Sequence, residues 1–178
     1  MTGKLSASHF EFFALPETFE LDLEALEAAY RRVQASVHPD RFANAPQAQR
    51  RYAMQLASRA NEAVRVLREP LSRARYLCEL HGVEVGAESN TVMAPEFLEL
   101  QMSWREALED ARTQCDAAAI DGLEGNLAAE RGALQRSVAE SLAGADHRAA
   151  GEAVRRWMFV ERFDEELRRV RKQIERNA

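Results

Sequence analysis

The stretch AYRRVQASVHPDRF, residues 29–42, decides how the first half of this chain is read. Asp22 is placed to cap a helix N-terminus, its carboxylate accepting hydrogen bonds from amides that lack intrahelical partners. From there Leu23, Leu26, Tyr30, Val33 and Val37 recur at three- and four-residue spacing and draw one apolar stripe. At about 100° per residue, Arg31 and Arg32 project away from that stripe. Pro39 has no amide hydrogen to donate and disfavours helical geometry at His38, so the helix stops there. The result is a fixed corner that displays an imidazole, His38, and a carboxylate, Asp40, beside a basic face. Such a corner suits an acidic partner surface.

Outward from the corner the pattern stays helical. Phe10, Phe12, Phe13 and Leu15 offer core volume in a short helix, and Phe42 reads as a core anchor in the loop. A helix is predicted from near Pro46, a residue favourable in a first turn, with Tyr52, Ala53, Leu56, Ala57, Ala60, Val64 and Leu67 on its apolar face. Pro70 opens another, PLSRARYLCEL, ending at His81-Gly82 with the glycine as a candidate C-cap. The segment GVEVGAESNTVMAP, with its glycines and polar Glu-Ser-Asn-Thr run, reads as a linker. Three long helices are expected beyond it, at about 95–112, 115–142 and 146–176, and their short connections favour an antiparallel bundle. The middle one carries Gly122, Gly125 and Gly132, each less favourable in a helix than alanine. The expected fold class is therefore all-α: a helical hairpin domain over 1–80, a linker over 81–94 and a three-helix bundle over 95–178.

The helix after Pro95 has two apolar faces. Phe97, Leu100, Trp104, Leu108 and Ala111 form one continuous stripe, the expected core side. Leu98 and Met102 lie on the opposite side, where an amphipathic helix should be polar, together with Arg105, Glu106 and Glu109. On the last helix Val160, Phe163, Leu167, Val170 and Ile174 give the buried stripe, and Phe159 sits beside it. Leu98, Met102 and Phe159 are thus expected to form one exposed apolar patch, which marks an interface when clustered. The competing reading is that they fill a wider core or pack on the first domain.

Composition narrows the classes. The chain has 178 residues, 46% of them hydrophobic, with a formal net charge of −5. No apolar run approaches the roughly 20 residues that span a bilayer, and the N-terminus lacks the apolar core of a secretory signal. Cys78 and Cys115 form no CxxC pair, which fits a reducing cytoplasm. Residues 1–80 carry eleven basic and ten acidic side chains, and residues 81–178 thirteen and nineteen, so no basic stripe suggests nucleic acid. The run Arg168, Arg169, Arg171, Lys172 is interleaved with Val170 and Ile174 and reads as a solvated helix face. As metal ligands His38 and Asp40 fall short of the three or four a site needs, with His9, His81 and His147 in unrelated sequence contexts. As acid–base catalysts they would need a concave pocket rather than an exposed turn.

The helix–HPD–helix pattern resembles the J-domain of DnaJ-type co-chaperones, and ANEAVRVL is similar to the helix that follows the HPD loop there. The runs RARYLCELHGVEV and NTVMAPEFLELQMSWREALED extend the likeness over nearly the whole chain, to the HscB family. The resemblance implies that Tyr30, Arg31, Arg32, His38, Pro39, Asp40 and Arg41 dock onto a DnaK-like chaperone, HscA, and stimulate its ATP hydrolysis. It implies that Leu98, Met102, Arg105, Glu106 and Phe159 hold IscU, the scaffold on which iron–sulfur clusters are assembled. It implies no catalytic residue, no metal and no cofactor of the chain's own, and a bacterial cytoplasmic location. Several residues depart from the pattern: Ser36 where many J-domains are basic, Arg41 for a frequent lysine, and Glu99 and Ser103 at the edge of the scaffold face. The paired CxxC motifs of some mitochondrial relatives are absent, so no zinc is expected. The alternative left open is a J-protein for another client, with the bundle as a generic adaptor.

Overall fold

The computed structural model describes residues 6–42, 45–86 and 94–177, and the regular structure among them is entirely helical. The chain divides into two compact units, Met1–Leu80 and His81–Ala178.

In the first unit, α1 (His9–Phe13) opens with a capping box in which the Glu11 amide donates to the Ser8 hydroxyl and the Ser8 amide to the Glu11 carboxylate. Helix α2 (Leu23–Ser36) begins at the expected cap, Asp22 accepting from the Glu24 and Ala25 amides. A 3₁₀ turn over Pro39–Phe42 leads to α3 (Gln47–Arg68), and α4 (Pro70–Leu80) closes the unit. Glu27 pairs with Arg68 and Tyr30 with Asn61, so positions rise along α2 as they fall along α3, and the two helices are antiparallel. Phe10, Phe12, Phe13, Leu26, Ala60 and Leu67 are buried in the core. Leu23, expected in the α2 stripe, is exposed in the first turn, and Ala29 is buried instead. Arg73 is buried, donates to the carbonyls of Phe19 (2.8 Å) and Leu67 (2.6 Å), and lies 5.2 Å from the Phe19 ring centre. It ties the loop before α2 to the α3–α4 corner.

The second unit contains α5 (Pro95–Gln114), α6 (Ala117–Ala143) and α7 (His147–Asn177). Arg171 bonds to Asp121 and Glu124, and Arg131 to Glu161 and Asp164, so α6 and α7 are antiparallel. Aromatic pairs Phe97–Phe159 and Trp104–Phe163 run α5 in the same direction as α7. Helix α6 continues across Gly122, Gly125 and Gly132, because Asp116 caps it and Ile120, Leu123, Leu127, Leu134 and Val138 are buried along one stripe. Packing of that stripe outweighs the low propensity of the glycines.

The start of the expected linker packs onto this bundle. Val85 is buried, the Arg155 guanidinium donates to the Glu84 carbonyl at 3.2 Å, and a Cβ on Gly151 would stand 2.6 Å from Val83 Cγ1. Glycine at 151 is therefore what lets residues 83–85 lie against α7. His81 and His147, set apart by the sequence reading, stack with ring centres 3.8 Å apart. Residues 87–93 of the expected linker lie outside the described residues.

Candidate functional site

The HPD corner forms as local chemistry dictates. Helix α2 ends at Val37 (φ −111°, ψ 13°), whose amide reaches back to the carbonyls of Val33 and Gln34. Val37 itself is buried, which anchors the corner from below. The Arg41 amide donates to the His38 carbonyl at 3.0 Å and holds the 3₁₀ turn. Within the turn, His38 Nδ1 is 3.5 Å from Asp40 Oδ2, and the Asp40 amide approaches the same nitrogen at 3.4 Å. These contacts are long, and the two side chains are 59% and 90% exposed. An exposed pair of this kind adds little to stability. Both groups are therefore held in place by backbone geometry and remain open to a partner.

The other expected docking residues surround the corner. Arg31 and Arg32 are exposed on α2, and the Arg41 guanidinium, also exposed, reaches the Ala35 carbonyl at 3.4 Å. The backbone of Pro39 opens the 3₁₀ turn. Tyr30 belongs to the apolar stripe as well as to the expected docking set. It is half-buried, and its hydroxyl donates to Asn61 Oδ1 at 2.9 Å while accepting from Gln34 Nε2 at 3.0 Å. Sequence reading missed Gln34 and Asn61. The available signal was a long amide one turn after Tyr30 and an asparagine amid the apolar periodicity of ANEAVRVL.

On the bundle, α5 does carry two apolar faces. Phe97, Trp104, Leu108 and Ala111 are buried, while Leu100 is only half-buried. Leu98 and Met102, one turn apart, are 45% and 63% exposed. Arg105 and Glu106 are exposed on the same helix. Phe159, expected beside the buried stripe and in the exposed patch, is less exposed than Leu98 and Met102. Its half-buried ring sits edge-on to Phe97 at 5.6 Å and stacks on Phe163 at 6.1 Å. The ring thus lies at the margin of the core, packed on Phe97 of α5 and Phe163 of its own helix. The Arg156 guanidinium lies 5.3 Å from the Phe97 ring centre at the same seam.

The two units thus present opposite chemistry, a charged turn on the first and an apolar helix face on the second. The family model for the HscB C-terminal oligomerisation domain matches residues 93–168. The co-chaperone protein HscB homolog of Burkholderia multivorans is 52% identical over 172 residues, covering 97% of both chains. The chain belongs to the HscB co-chaperone family. The HscB homolog of Bordetella avium is likewise 52% identical, over 91% of this chain and 96% of its own. Among solved structures, chaperone HscB from Vibrio cholerae superposes with a TM-score of 0.85 at 36% identity, covering 94% of this chain and 99% of that one. Human co-chaperone protein HscB does so at 0.83 and 25% identity, over 92% and 81%. In this member of the HscB family no helix among the described residues is long and apolar enough to cross a membrane. Nor do the described residues contain a cluster of three or more His, Cys, Asp or Glu side chains fit to hold a metal.

Proposed function

We propose that this HscB-family chain is a non-enzymatic cytoplasmic adaptor that stimulates the ATPase of a DnaK-like chaperone, HscA, and brings it the iron–sulfur scaffold IscU. The first unit, the J-domain, docks through Tyr30, Arg31, Arg32, His38, Pro39, Asp40 and Arg41. The second holds the scaffold through Leu98, Met102, Arg105, Glu106 and Phe159. ATP and the cluster belong to the partners, since this chain has no phosphate-cradling glycine loop and the two faces bind surfaces rather than enclose a substrate.

The observation that carries the reading is the coexistence of an exposed HPD corner on one unit and exposed Leu98 and Met102 on the other. Side chains that stand clear of the core, as His38 and Asp40 do, are suited to contact, and a helix that leaves two large apolar side chains in water opposite its buried stripe is suited to burial against a partner. The experiment is titration of the purified chain into HscA with and without IscU. Stimulation of ATP hydrolysis that rises further when scaffold is present supports both assignments. Stimulation by the chain that is indifferent to scaffold, with no scaffold binding, would assign the bundle to a different client.

A further inference from the structure

Two polar residues outside the expected site close a ring with Tyr30. The Tyr30 hydroxyl donates to Asn61 Oδ1 at 2.9 Å, and Gln34 Nε2 donates both to the Tyr30 oxygen at 3.0 Å and to Asn61 Oδ1 at 2.8 Å. All three lengths are those of well-formed hydrogen bonds. Tyr30 and Gln34 stand one turn apart on α2, whereas Asn61 comes from α3. The ring therefore closes across the hairpin, on the same seam as the Glu27–Arg68 ion pair.

Its place on the molecule bears on its use. Asn61 is exposed, and Tyr30 and Gln34 are half-buried. Hydrogen bonds at such a surface exchange with water and change stability little. What they do remove is freedom. A phenol attached through α2 alone would sample several orientations; one held by an acceptor on α3 and a donor on α2 has one. Arg31 follows Tyr30 directly and is exposed, so the ordered ring borders the basic face.

We infer that Asn61 is a positioning residue for the chaperone-docking face, fixing Tyr30 and Gln34 across the hairpin so that α3 as well as α2 shapes what the chaperone meets. This rests on the J-domain docking reading above. Ordering the ring before encounter lowers the conformational entropy lost on binding, an effect of roughly threefold to tenfold in affinity for one such side chain. It should act on docking and not on the activating step, because the HPD corner is untouched.

The test uses the full chain and a purified DnaK-like chaperone. With Asn61→Ala, the concentration giving half-maximal ATPase stimulation should rise roughly threefold to tenfold, with maximal stimulation unchanged. Tyr30→Phe, which removes the hydroxyl and keeps the ring, should raise it too, and the double variant should be no worse than Tyr30→Phe alone. If Asn61→Ala failed to fold, Gln34→Ala, which opens the ring from α2, carries the same expectation. Wild-type behaviour in Asn61→Ala, a fall in maximal stimulation at unchanged half-point, or full additivity with Tyr30→Phe would each overturn the inference. Absence of stimulation by the wild-type chain would instead overturn the docking reading, and this one with it.

Discussion

The HPD corner and the α5 face solve the problem of staying exposed in different ways. His38 and Asp40 stand on a turn whose shape is set by backbone bonds and by buried Val37, so their side chains take no part in the core. On the bundle the division is incomplete. Leu98 and Met102 are exposed, but Phe159, expected beside them, is half-buried with its ring packed on Phe97 and Phe163. A charged contact built on a turn separates from the fold cleanly, whereas an apolar contact borrows from the core beside it. The comparison is measurable unit by unit. Trp104 and Trp157 lie in the second unit and Tyr30, Tyr52 and Tyr76 in the first, so tryptophan emission follows the second unit and near-ultraviolet tyrosine signals follow the first.

The largest effect should come from the corner. His38→Gln or Asp40→Asn is expected to remove stimulation of the chaperone's ATPase, at least tenfold, or about 1.4 kcal/mol or more of coupling. The tyrosine-reported melting point should not move. A melting point that falls with activity would mean the corner is structural and would erase the contrast drawn above.

Next in size is the apolar face. Replacing Leu98 and Met102 together by alanine should weaken scaffold binding by about two orders of magnitude, since buried interface anchors are worth about 1–3 kcal/mol each. Tryptophan-reported stability should stay put. Phe159→Ala should lose both affinity and stability, because each lost aromatic pair contributes about 0.5–1.5 kcal/mol beyond its area. In a domain of this size each kcal/mol lowers the melting point by about 4–8 °C. Calorimetry that found Phe159→Ala as stable as wild type would place its ring outside the core and restore a fully separable patch.

A smaller effect is expected inside the bundle. Arg131 bonds to Glu161 (2.6 Å) and Asp164 (2.9 Å), and Asp164 is only 6% exposed. The hydrogen bond to Glu161, ahead of the pull of both carboxylates, raises the Arg131 pKa above its ordinary value and keeps it charged. Arg131→Met leaves Asp164 with Arg168 alone and should destabilise the second unit by about 1–3 kcal/mol without altering ATPase stimulation. A urea midpoint unchanged from wild type would show that Arg168 suffices.

The smallest effect is a pH dependence confined to the first unit. His9 is buried against Tyr76, and desolvation, reinforced by Arg59, lowers its pKa below 6.5. In the unfolded chain it protonates near 6.5, so as pH falls below that value the unfolded state gains a proton first. The first unit should therefore lose stability as pH falls from 6.5 through the lowered folded value and level off below it. His9→Gln should flatten that part of the tyrosine-reported profile, and an unchanged slope would point to other titrating groups.

Much of this chain was legible because the information was local or periodic. Asp22 caps α2, Pro39 ends it, and the stripe Val160, Phe163, Leu167, Val170, Ile174 is buried as a 3.6-residue period requires. The two apolar faces of α5 follow from the same arithmetic. What periodicity leaves undecided is the neighbour. Arg131 falls in the buried stripe of α6 between Leu127 and Leu134, and only the antiparallel seating of α7 supplies Asp164 and Glu161. The Asn61 partner of Tyr30, the valine at 83 that requires glycine at 151, the His81–His147 stack and the half-burial of Phe159 are of the same kind. Each depends on a distance between residues remote in sequence, and side-chain spacing along one helix carries no information about the helix packed beside it.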